Sequence, residues 1–163
     1  MFALFFAAVL ATNSFNKIEN PARITSDSTY YDRKEGIVVF KGHVHVDDPD
    51  YQMHANRAFL FLSGTNSLQR IVATGSVALT NGMRRAYGER ITYHHANGLI
   101  VLYAGNGNPA MVTEIAEDGG IRTVRGRKIR FWINQEQVEV MDADITAPRD
   151  GVDKIGLPGM GLK

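Results

Sequence analysis

One short phrase recurs four times in this 163-residue chain: an apolar residue, a gap, a small residue and a polar residue, then strand-like alternation, a turn and a second strand. The copies begin 24-ITSDSTYY-31, 53-MHANRAFL-60, 86-AYGERITY-93 and 124-VRGRKIRF-131. From the polar fourth position of each copy, Asp27, Asn56, Glu89 and Arg127, the strand ending lies fifteen, nineteen, sixteen and fifteen residues on, at Gly42, Gly75, Gly105 and Asp142. A spacing this regular predicts one supersecondary unit used repeatedly, each copy burying its apolar face against its neighbours.

Within the units the apolar residues keep a period of two, the mark of strands with one buried face. The first unit places Ile24, Tyr31, Val38, Phe40, Val44 and Val46 inward, and the second Met53, Ala58, Leu60, Ile71, Ala73, Val77 and Leu79. The third adds Ile91, Tyr93, Val101 and Tyr103, and the fourth Ile129, Phe131, Val138 and Val140. Turn signals separate the strands at 32-DRKEG-36, 63-SGTNS-67, 81-NG-82, 94-HHANG-98, 118-DGG-120 and 134-NQE-136. No stretch after residue 20 has helical spacing, so the expected class is all-β: a sandwich, a jelly roll or a solenoid of hairpins.

Three segments are expected. Residues 1–20 open with the apolar MFALFFAAVLA, too short to span a bilayer but suited to the core of an export signal, although no basic residue precedes it. Residues 21–147 hold the repeats, and 148–163, rich in Pro and Gly, form a tail outside the packed domain.

Chemistry has few footholds. Without cysteine there is no disulfide framework and no thiolate nucleophile or ligand. His43 and His45, two apart on a strand, share a face and could begin a metal site, but Val44 and Val46 take the inward positions, and a third ligand comes from His54 or the pair His94 and His95 only if the fold brings them close. The pair reads as a solvated strand face. No catalytic grouping or phosphate-cradling glycine motif stands out, so neither an enzyme nor a cofactor is expected. Eighteen basic residues against seventeen acidic give a net charge of +1, which excludes a broad field for nucleic acid. The cluster Arg122, Arg125, Arg127, Lys128 and Arg130 reads as solvated, edge-protecting charge, or as a local contact for an anionic headgroup.

The phrases 24-ITSDSTYYD-32, 36-GIVVFKGHVHV-46, 53-MHANRA-58, 70-RIVATGSV-77, 86-AYGERITY-93, 98-GLIVLYAGN-106 and 124-VRGRKIRF-131 together resemble the OstA-like, LptA-type family of periplasmic lipopolysaccharide-transport bridges. The resemblance spans about residues 22–146 and implies a slightly open antiparallel β-jelly roll whose apolar groove shelters the acyl chains of lipid A. It further implies a head-to-tail homo-oligomer joined through terminal strands, linking an inner-membrane transport complex to an outer-membrane receiver protein. Groove positions carried onto this chain are Ile24, Tyr31, Val38, Phe40, Val44, Val46, Met53, Leu60, Ile71, Leu79, Ile91, Tyr93, Val101, Tyr103, Ile129 and Phe131. Because no barrel follows the last repeat, a free bridge is expected rather than a module of an outer-membrane protein. The competing expectation is a structural β-repeat scaffold that self-assembles around a closed, dry core without lipid.

Overall fold

The structure is a computed structural model and describes residues 23–48, 51–64, 67–115, 119–132, 135 and 137–146. The expected export signal and tail lie outside the described residues. Among the described residues twelve antiparallel strands follow one another: β1 Arg23–Thr25, β2 Ser28–Asp32, β3 Ile37–Asp48, β4 Tyr51–Leu62, β5 Leu68–Asn81 and β6 Arg84–His94. Then come β7 Leu99–Tyr103, β8 Ala110–Ile115, β9 Ile121–Gly126, β10 Lys128–Trp132, β11 Gln137–Met141 and β12 Asp144–Thr146. A single 3₁₀ turn at His95–Asn97 is the one helical element among the described residues, and none is long and apolar enough to cross a membrane.

The four longest strands, β3 to β6, are interrupted at matching places. Pairing slips between Lys41 and Val44, between His54 and Arg57, and between Thr74 and Val77. Two of these slips coincide with two consecutive residues at positive φ: Gly42 and His43 at 75° and 45°, then Gly75 and Ser76 at 83° and 50°. Such bulges bend a strand and increase its twist. The polar fourth residue of each repeat packs onto the glycine that ends the repeat: Asp27 onto Gly42, Asn56 onto Gly75 and Glu89 onto Gly105. In the fourth copy an ion pair, Arg127 to Asp142 at 2.9 Å, takes the place of that contact. The repeat spacing thus records a line of bends across the sheet.

That line divides the sheet into two limbs. On one side the order is β2-β3-β4-β5-β6-β7-β10-β11, and on the other β1-β3-β4-β5-β6-β8-β9-β12. Each limb carries inward rows in register. The first limb aligns Val38, Leu60, Ile71, Tyr93, Ile100, Phe131 and Val138, and beside them Phe40, Ala58, Ala73, Ile91, Leu102, Ile129 and Val140. The second aligns Ile24, Val46, Met53, Leu79, Ala86, Val112, Val124 and Ile145. Residues of both limbs form one hydrophobic cluster, so the limbs face each other across a shared core. Burying a Val, Leu or Ile there contributes about 1.5–3 kcal/mol. This is the expected all-β jelly roll, with the N-terminal edge formed by β1 and β2 and the C-terminal edge by β11 and β12.

Three expected interior positions are corrected. Val101 and Tyr103 lie on the outer face of β7, because Ile100 and Leu102 pair with the inward Tyr93 and Ile91. Val101 is nonetheless buried, but it lies outside the core cluster. The run 99-LIVLY-103 is apolar throughout, so alternation could not fix its phase, and a slip of one residue exchanges the faces. Tyr31 is opposite the inward Val38, yet it is 46% exposed because β2 is an edge strand among the described residues.

Candidate functional site

At the N-terminal end of the molecule the two limbs leave a cleft. β1 contributes Ile24; β3 contributes Phe40, Val44 and Val46; β4 contributes Tyr51, Met53, Ala58 and Leu60; β5 contributes Ile71. The lining combines both limbs: Phe40, Ala58, Leu60 and Ile71 lie beyond the bend from Ile24, Val46 and Met53. Its free volume is ≈ 20 Å³, room for about one or two water-sized spheres.

Seven of the sixteen expected groove residues line this cleft: Ile24, Phe40, Val44, Val46, Met53, Leu60 and Ile71. Leu79, Ile91, Tyr93 and Ile129 continue the inner surface as buried core, and Val38 and Phe131 pack partly buried against it. Tyr31, Val101 and Tyr103 are not brought to it. Tyr51, which is 3% exposed, was missed because it follows directly on the polar run 47-DDPD-50. Its position two before Met53 carried the signal. Tyr93 lies midway along the first inward row with its hydroxyl 3.3 Å from His95 Nδ1, and burial pushes its phenol pKa upward.

On the outer face, apolar positions such as Val39, Phe59, Val72 and Val101 alternate with polar and charged side chains, several of which are paired. His43 Nδ1 lies 2.7 Å from Asp27, and the exposed ring stands at the bulge. His45 is directly opposite His54, with ring nitrogens 3.2 Å apart. No group of three or more His, Asp or Glu side chains suited to a metal occurs among the described residues. Much of the basic cluster is matched locally: Arg130 to Glu139 at 2.7 Å, Arg127 to Asp142 and, more loosely at 3.9 Å, Arg125 to Asp144. Arg90 and Lys128 approach the Tyr103 ring at 4.0 and 5.1 Å, which explains how an outward tyrosine is held.

Comparison with known proteins agrees with this architecture. The family model described as LptA/(LptD N-terminal domain) LPS transport protein matches residues 23–137. The lipopolysaccharide export system protein LptH of Pseudomonas aeruginosa is 23% identical over 150 residues, which cover 86% of this chain and 81% of LptH. The crystal structure of LptH, described as the LptA-homologous periplasmic component of a lipopolysaccharide transport device, superposes with a TM-score of 0.62 at 21% identity. That match covers 78% of this chain and 95% of LptH. A family match over residues 23–137, most of the chain, leads to one conclusion: the chain belongs to the LptA/(LptD N-terminal domain) family of LPS transport proteins.

Proposed function

We propose that this protein is a non-enzymatic periplasmic bridge component that shelters the acyl chains of lipopolysaccharide between its two limbs while the sugars stay in water. The observation that carries the reading is the cleft built only from apolar residues of both limbs and continuous with the inward rows. Each CH₂ withdrawn from water contributes about 0.8 kcal/mol, so an apolar passage across an aqueous compartment removes the main barrier to moving such a lipid. The relative LptH is itself a periplasmic component of a lipopolysaccharide transport device.

In this reading the edges β1/β2 and β11/β12 join successive copies head to tail by adding strand to strand. The end copies meet an inner-membrane transport complex and an outer-membrane receiver. The scaffold reading draws on the small volume of the cleft, since a tight core suits assembly without cargo. Native mass spectrometry of the protein incubated with lipopolysaccharide separates the two. A bridge gives a stoichiometric lipid adduct together with an oligomer ladder, whereas a scaffold gives the ladder without the adduct.

A further inference from the structure

The far end of the second limb breaks the rule that the rest of the limb obeys. Ala86, Val112 and Val124 form its inward row, and two residues further out the same face carries Arg84, Glu114 and Arg122, paired in register across β6, β8 and β9. The outward positions beside them hold Met83, Ile115 and Ile121, which are exposed. Polar and apolar faces are therefore exchanged at this end.

The inward charges are unequal. Arg84 meets Glu114 through Nε at 2.9 Å and a terminal nitrogen at 2.7 Å, both on the same carboxylate oxygen. Arg122 is directly opposite Glu114 in the strand register but forms no ion pair with it, and its Nε is buried without a hydrogen-bond partner. A buried guanidinium donor left unmatched is costly, and guanidinium groups bind phosphate and carboxylate through paired donors. With strands about 4.8 Å apart, Arg84 and Arg122 flank the glutamate at a backbone separation of about 10 Å.

We infer that this row is a binding site for an anionic group on the amphiphile whose chains occupy the interior, with Arg122 as the principal contact and Glu114 as a competitor that holds Arg84 back. The inference rests on the proposed sheltering of acyl chains. A phosphate on the sugar of lipid A has the required chemistry: the apolar row beginning at Ala86, Val112 and Val124 takes the chains, and the guanidinium meets the charge where that row ends.

The test measures binding to the full chain of lipid A with its phosphates, of dephosphorylated lipid A, and of inorganic phosphate alone. R122Q is expected to weaken phosphorylated lipid A about tenfold, the effect of one charge-assisted contact, and to leave the dephosphorylated form unchanged. E114Q, which removes the negative charge directly opposite Arg122, is expected to tighten phosphorylated lipid A, and R85Q, on the outward face of β6, to change neither. Equal losses for both lipids in R122Q, or no response to E114Q, would overturn the inference, as would inorganic phosphate binding as tightly as the lipid. If the unmodified chain binds neither lipid, the sheltering function fails as well, a result distinct from lipid binding that is indifferent to phosphate.

Discussion

Adjacent residues in the bulges have opposite tolerances. At Gly75, φ is 83° and an added Cβ would lie 2.6 Å from the Asn56 amide nitrogen, so both the backbone and the neighbour resist a side chain. Gly75→Ala is expected to cost about 1–3 kcal/mol, seen as a lower urea midpoint with an unchanged slope. Ser76 follows at φ 50° with an exposed side chain. Ser76→Gly relieves a left-handed conformation and is expected to stabilise by about 0.5–1 kcal/mol. A glycine that weakens a strand elsewhere would here strengthen one, and the pair of measurements reads the bend directly.

At the scale of the element, β7 has two faces that composition does not distinguish. Leu102 is buried between Ile91 and Ile129 on its neighbouring strands, while Tyr103 sits outside between Arg90 and Lys128. Leu102→Ala is expected to cost about 2–5 kcal/mol, and Tyr103→Ala about 1–2 kcal/mol from two cation-π contacts at the surface. Denaturation of the two variants checks the order, which the sequence reading places the other way round. The alternating strands show where such a reading succeeds. In β4 Tyr51, Met53, Ala55, Ala58 and Leu60 are buried, with the change of step at Asn56 and Arg57 where the bulge falls. The repeat spacing from Asp27 to Gly42 and from Asn56 to Gly75 was visible because each polar residue has a glycine to cover. The division into limbs was not visible, because it depends on bulges in neighbouring strands lining up, which is a relation between strands and not within one. Tyr31 was misplaced for a related reason: its face is right, but only the sheet order shows that it stands at an edge.

For the whole molecule, the central tension is between a cleft of ≈ 20 Å³ and the proposed cargo, a lipid with several acyl chains. Facing sheets pack about 10 Å apart when only their side chains interdigitate, so a layer of lipid requires the limbs to separate about their shared line of bends. Spin labels at Arg33→Cys, in the turn at the end of the first limb, and Gln52→Cys, exposed on the second, report that separation in a chain with no native cysteine. Lipopolysaccharide is expected to lengthen the distance between them. A constant distance would place the cargo somewhere other than between the limbs. The central claim is tested most directly by a photo-reactive residue at the inward positions Phe40 and Leu60 and at the outward positions Tyr87 and Tyr103, each exposed to lipopolysaccharide. The account predicts adducts at the inward pair and none at the outward pair, and labelling that ignores the face of the sheet would contradict it.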